Sequence, residues 1–323
     1  MMMAVCGCAA MAQDSPWDKE LTLGLKVLQS SYSDNWNSGE KGSIVWTGDV
    51  AARLEKQYSK NVNWRNTLKL VYGQTTTQDR DAQGNLVWSK PDKTDDIIEV
   101  ESILRRSAAG GWGPFAAFRF TTLFQDLTDA EGRALNLTPL TFSESLGASK
   151  LFVDEEHRRL LTRLGAAYKQ NSRRFYPFAA PSLATQLATS AELAVEWVTE
   201  YRVGALDKRV DWDSKLTVSR PLIYSGKSVF EDGFTSIAVM PADIAAYTTT
   251  TDIDWENTFT SQITKVISVK LYVRWVYDKY DNTVKPVVDD TGKLTNEADV
   301  LQAVRRAGQF KQTLALGLGY TFN

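Results

Sequence analysis

The chain has 323 residues, 43% of them hydrophobic and 24% charged, with a formal net charge of -2 and a mean hydropathy of -0.29. A near-neutral chain with no run of like charge lacks the basic field that gathers nucleic acid, so no nucleic-acid partner is expected. No stretch approaches the roughly 18 consecutive apolar residues that a membrane helix needs, which excludes helical spans and leaves strands, whose alternation keeps average hydropathy low.

Residues 1–12 read as a signal peptide. They are uncharged, small and apolar, and end in Ala10-Met11-Ala12 before Gln13, the small-x-small pattern of a cleavage site. Cys6 and Cys8 both fall inside this segment, so a processed chain would hold no disulfide or thiolate metal site. The rival reading is a lipoprotein acylated on one of these cysteines. Residues 13–20 follow as a short periplasmic segment, and 21–323 as one barrel.

From residue 21 the apolar period is two. Leu21, Leu23, Leu25 and Val27 alternate with Thr22, Gly24 and Lys26, the pattern of a strand with one apolar and one polar face. It returns over 44–54, 62–72, 98–104, 116–124, 160–168, 193–203, 210–218, 253–263, 267–277 and 310–322, and more weakly over 142–152. The expected fold is therefore all-β, a transmembrane antiparallel β-barrel of about 12 strands, with 10 or 14 as neighbouring counts.

Links between these segments alternate in length. Short ones fall near 59–61, 108–111, 154–156, 205–209 and 264–266, and long ones near 78–94, 125–141, 170–190, 220–250 and 279–308. Outer-membrane barrels place short turns in the periplasm and long loops outside; the link at 35–41 is shorter than its fellows. Trp46, Trp64, Trp197, Trp212, Trp255, Trp275 and Tyr277 are read toward strand ends, as interfacial girdles require.

The face opposite the apolar one carries long charged residues. Glu192, Glu196, Glu200, Asp211, Asp213, Asp252, Asp254 and Glu256 form an expected acidic lumen wall. Lys26, Arg53, Arg65, Lys69, Arg119, Arg163, Lys270, Arg274 and Lys311 form a basic one, interrupted by Asp49, Glu55, Glu99 and Glu101. If water fills the lumen, the walls set up a transverse field that favours small polar or charged solutes; if the side chains meet, they form a salt-bridged plug. The same sequence is compatible with a closed structural or docking barrel whose long loops hold a partner, or with a soluble secreted β-protein.

Catalysis has a single histidine to work with. His157 lies in Asp154-Glu155-Glu156-His157-Arg158-Arg159 at an expected periplasmic turn, so no catalytic residue is assigned. Asp92, Asp95 and Asp96, or Asp278, Asp281, Asp289 and Asp290, offer oxygen ligands for calcium, but acid-rich loops are ordinarily solvated, and neither metal nor cofactor is expected. Asp79 to Asn85 and Asp289 to Gly292 read as glycine-containing hairpin turns.

The closing Gly317-Leu318-Gly319-Tyr320-Thr321-Phe322 resembles the assembly signal of outer-membrane barrels, with Gly317, Tyr320 and Phe322 as its marks and Asn323 a departure. That resemblance implies docking to the barrel assembly machinery and a final setting in outer-membrane lipid and lipopolysaccharide. Three further blocks, Ser33-Asp34-Asn35-Trp36-Asn37-Ser38-Gly39, Asn63-Trp64-Arg65-Asn66-Thr67-Leu68 with Tyr72-Gly73, and Lys93-Thr94-Asp95-Asp96-Ile97-Ile98-Glu99, are similar to those of the barrel family filed as domain of unknown function 3078. Asp254-Trp255-Glu256-Asn257 fits the same pattern. The family implies a Gram-negative outer-membrane barrel and supplies no activity or substrate.

Overall fold

A computed structural model describes residues 17–31, 41–108, 111–155, 157–205, 209–236, 239–305 and 307–322. The expected signal peptide, the block from Ser33 to Gly39, and Asn323 lie outside the described residues.

The strands are β1 (Asp18–Ser30), β2 (Ser43–Ser59), β3 (Val62–Arg80), β4 (Leu86–Trp88), β5 (Asp92–Arg106), β6 (Trp112–Thr122), β7 (Gln125–Asp126), β8 (Leu135–Asn136), β9 (Leu140–Glu155), β10 (Arg158–Phe175), β11 (Gln186–Ala205), β12 (Val210–Tyr224), β13 (Asp252–Gln262), β14 (Ile267–Tyr277) and β15 (Gln309–Phe322). Leaving aside the hairpin strand β4 and the loop pair β7–β8, twelve antiparallel strands close into a ring, β15 returning to β1. A membrane strand needs only about 9–11 tilted residues. β11, at 20 residues, rises well past that, and much of what reads as loop in the sequence is strand: β10 continues to Phe175 and β12 to Tyr224. At the other end β1 begins at Asp18, so residues 18–20 of the segment expected over 13–20 already belong to the sheet.

Burial is inverted relative to a soluble protein. Leu146, Leu164, Trp197, Leu314, Leu316 and Leu318 are exposed on the outer face, whereas Arg163 and Glu101 inside retain 2% and 5% of their exposure. Aqueous solvent would not leave that arrangement standing, because long charged side chains stay outside soluble folds; a hydrocarbon surround accounts for it. Trp46, Trp64, Trp212, Trp255 and Trp275 all stand on the outward parity, with the Trp255 and Trp275 positions paired across strands. Trp197 departs from the girdle expectation: it lies in the middle of β11, at lipid depth.

Links at one end span 60–61, 107–111, 156–157, 206–209 and 263–266; the opposite end carries 81–91, 123–139, 176–185, 225–251 and 278–308. These are called the short-turn and long-loop ends below. Gly84 and Gly292, at φ 85° and 77°, make the tight turns read from the sequence, in the left-handed region that glycine enters without strain.

Candidate functional site: the barrel lumen

The inward faces differ in side-chain size from strand to strand, and that sets the shape of the lumen. On β9 they are Ser143, Ser145, Gly147 and Ser149, all small. Into the room they leave come Phe115 from β6, Arg119 from β6 and Arg163 from β10, with the Arg163 guanidinium 5.7 Å from the Phe115 ring centre. Glu101 on β5 collects this group: it accepts from Arg119 Nη2 at 2.8 Å and Arg163 Nη2 at 3.2 Å, and Lys215 Nζ stands 3.8 Å away. Charges this deep persist only when paired.

Other pairs cross the middle. Arg65 on β3 donates to Glu200 on β11 at 2.7 Å, Lys69 on β3 to Glu256 on β13 at 3.1 Å, and Arg163 also reaches Glu200 at 3.0 Å. Because β3 lies nearly opposite β11 and β13 in the ring, these bridges form a septum. The acidic and basic walls expected from the sequence do face the lumen on these strands, but their members meet at hydrogen-bond distance instead of standing apart across water. Lys215, on the acidic wall itself, was missed in the sequence, as was Lys169, which donates to Glu192 at 2.9 Å.

The remaining predicted positions distribute around the septum. Arg53 pairs with Asp18, Glu20 and Glu55 at 3.0, 3.2 and 3.0 Å, and Lys26 with Asp49 at 2.6 Å. Arg274 pairs with Asp254 at 2.7 Å, Asp213 with Arg202 at 2.8 Å, and Lys311 with Asp95. Glu196 is buried on β11; Asp211 and Asp252 lie on the same inward parity. Lys270 forms no ion pair among the described residues.

On the β6–β10 side of the septum the lumen is filled. On the other side, along β1, β2, β13, β14 and β15, it is open. A cavity of about 960 Å³ at the short-turn end is lined by Thr22, Gly24, Gln262, Ser268, Gly317 and Gly319 among others. It shares Lys69 and Thr258 with a second cavity of about 380 Å³, and Lys26, Asp49 and Lys270 with a third of about 360 Å³ toward the long loops. Gly317, paired with Lys26 across the seam, is needed here because a Cβ would lie 2.8 Å from Lys26 Cγ. The neighbouring Tyr320 and Phe322 face outward and meet edge to face, ring centres 4.6 Å apart.

The long-loop end carries a cap that sequence periodicity did not reveal. Segments 225–251 and 278–308 contribute α1 (Lys227–Asp232), α2 (Ile244–Tyr247) and α3 (Glu297–Ala303), packed through Phe230, Ile244, Tyr280, Val284, Leu294 and Val300. Tyr224 Oη and Tyr280 Oη both donate to the Val284 carbonyl, at 3.0 and 2.7 Å. Asn282 pins the cap to the lumen: its Nδ2 donates to Glu192 at 2.7 Å, and its carbonyl accepts from Ser190 Oγ at 2.9 Å. The cap thus closes the mouth over β10–β12.

Five of the seven loop acids that could offer oxygen to calcium have other occupations, Asp95 with Lys311 among them. Asp96 takes Lys93 at 2.9 Å and the backbone N–H groups of Phe124 and Gln125. Asp278 and Asp281 both hold Arg305, and Asp289 accepts from Thr291. Among the described residues no group of three or more His, Cys, Asp or Glu is placed to hold a metal. His157 sits in the β9–β10 turn, where its carbonyl accepts the Gly204 N–H at 2.9 Å.

Residues 27–126 match the model of the family described as Protein of unknown function (DUF3078). The match takes in the first three sequence blocks and stops before the one around Trp255. No curated protein matches the chain. Among solved structures, an outer membrane channel from Pseudomonas putida F1 is similar at 11% identity and TM-score 0.41, covering 99% of this chain and 100% of its own. The translocator domain of the autotransporter NalP from Neisseria meningitidis is similar at 12% identity and TM-score 0.37, covering 95% and 87%. The β domain of the Bordetella autotransporter BrkA follows at 8% identity and TM-score 0.32, covering 94% and 98%.

Proposed function

We propose that this outer-membrane β-barrel is a narrow channel for small polar or charged solutes, with its path along the β1, β2 and β13–β15 wall. The observation that carries the reading is a chain of three cavities: Lys69 lines all three, and Lys26, Asp49 and Lys270 are shared by the two along β1 and β15. A septum of ion pairs halves the lumen, so conductance is expected below that of an unobstructed barrel of the same strand number. Export through the periplasm, with the short turns left on that side, completes the reading.

Refolded protein in a planar bilayer tests it. Discrete single-channel steps are expected, and Lys270→Glu should shift selectivity toward cations because it reverses a lumen charge. A barrel that shows heat-modifiable gel mobility and yet gives no steps would overturn the channel. In that case the cap, with its own apolar core across the mouth, favours the second reading, a closed barrel that presents its long loops to a partner.

A further inference from the structure

The seam that closes the barrel is incomplete. β1 pairs with β15 from Leu21 opposite Phe322 to Lys26 opposite Gly317. Above that point Val27–Ser30 pairs only with β2, and Gln309–Leu316 only with β14, among the described residues. The gap lies at hydrocarbon depth: with about 3.3 Å of rise per residue and a tilt near 45°, the outward positions from Tyr320 to Phe310 span roughly the 25 Å apolar band. Unpaired backbone is tolerated at that depth only where it lines a cavity.

Such a cavity is present. The site of about 360 Å³ is lined both by outward Val27, Leu314 and Leu316 and by inward Lys26, Lys270 and Thr313, so it passes between the two strands. Its inner surface breaks the rule that lumen positions are polar: Leu28, Val45, Val71 and Ile97 all stand on the inward parity. An apolar lining therefore runs from the lipid face into the lumen and ends at cations. Each acid on that lining already holds a cation, Asp49 with Lys26, Asp95 with Lys311 and Asp96 with Lys93. Lys69 and Arg274 are held by Glu256 and Asp254. Lys270 alone of the lining cations has no carboxylate within ion-pair distance among the described residues, and it neighbours Ala315 on the strand that borders the gap.

We propose that the gap between β1 and β15 is a lateral window for an anionic single-chain amphiphile, a long-chain carboxylate. The chain lies against Leu28, Val45, Val71 and Ile97, and the carboxylate meets the Lys270 ammonium. A cavity of this size suits one chain and a small head group. The window opens into the same cavity that forms the long-loop end of the channel path, but its exchange is with the bilayer and does not require passage through the lumen.

The test is saturable binding of dansyl-undecanoic acid to the barrel in phosphatidylcholine vesicles, against empty vesicles, with oleate and methyl oleate as competitors. Oleate should displace the probe at least about tenfold better than its ester, the worth of one charge-assisted contact. Lys270→Gln should abolish that difference and leave methyl oleate unchanged. Leu28→Asn, at a position already 69% exposed, should weaken both competitors while the barrel keeps its heat-modifiable mobility. No signal above empty vesicles, or a Lys270→Gln barrel that still prefers oleate, overturns the proposal. Conductance is read without the probe and binding without a potential, so the two readings fail separately.

Discussion

Arg163 and Glu101 meet at 3.2 Å in the barrel interior, 62 positions apart in sequence and 2% and 5% exposed. The same Arg163 Nη2 lies 3.0 Å from Glu200, so one guanidinium joins the filled half of the lumen to the septum. Removing it leaves two buried carboxylates short of a partner, a loss of about 3–5 kcal/mol for buried pairs. Arg163→Met is expected to lower the unfolding free energy of the refolded barrel, read from its urea transition, by that amount. Adding Glu101→Gln to Arg163→Met should recover part of the loss, because one uncompensated charge is then gone. A double variant no more stable than Arg163→Met would place the effect in packing against Phe115 instead.

Gly147 and Gly165 face each other across β9 and β10. A Cβ on Gly147 would lie 2.1 Å from the Leu164 carbonyl oxygen, and one on Gly165 would lie 2.2 Å from that of Leu146. Backbone does not yield as a side-chain tip does. Gly147→Ala should therefore cost about 1–3 kcal/mol in denaturant unfolding, the range for overpacking. Gly48, whose Cβ would meet nothing within 4 Å, supplies the control, and Gly48→Ala should be near neutral.

The architecture was legible in the sequence because lipid imposes a strict two-residue period, and each segment from Leu21 to Phe322 that shows it is a strand. Charge identity was legible too, since Glu192, Glu200, Arg65 and Arg163 fall on the polar parity. What the period does not encode is distance across the ring: Arg65 reaches Glu200 over 135 positions, a relation that depends on barrel diameter and side-chain length. The cap was hidden for another reason. Phe230, Tyr280 and Val300 belong to short irregular segments, where apolar residues follow no fixed spacing. Leu28, Val45, Val71 and Ile97 leave no mark in the sequence because each sits singly among polar inward neighbours, and only closure brings them together.

Asp278, just above β14, makes the cap sensitive to pH. Burial pushes its carboxyl up to about 7, aided by the Asp281 carboxylate and opposed only in part by Arg305. Between about pH 4 and 7 the unfolded chain has released this proton and the folded cap retains it, so stability falls as pH rises through that window and levels off above it. Hydrogen exchange over 279–305 should accordingly be faster at pH 8 than at pH 5.5, after correction for intrinsic rates. Asp278→Asn preserves an acceptor for the Tyr280 N–H, which Asp278 binds at 2.9 Å, and should flatten the profile. A profile unchanged by Asp278→Asn would assign the pH response elsewhere.

The last strand carries a prediction about assembly separable from stability. Tyr320 and Phe322 are about half exposed on the outer face, and opposite Leu23 and Leu21 they form the part of the seam that is hydrogen-bonded. Before closure β15 is an edge strand, whose free N–H and C=O groups and outward aromatics are available to a template. Phe322→Ala removes a ring that in the closed barrel touches Tyr320 and faces outward, so the unfolding free energy of the finished barrel should fall by no more than about 1 kcal/mol, the worth of an aromatic pair. Folding into vesicles that contain the assembly machinery should slow several-fold, whereas unassisted folding into detergent should keep its rate. Equal slowing in both settings would mean that the ring acts in closure itself and is not recognised by the machinery.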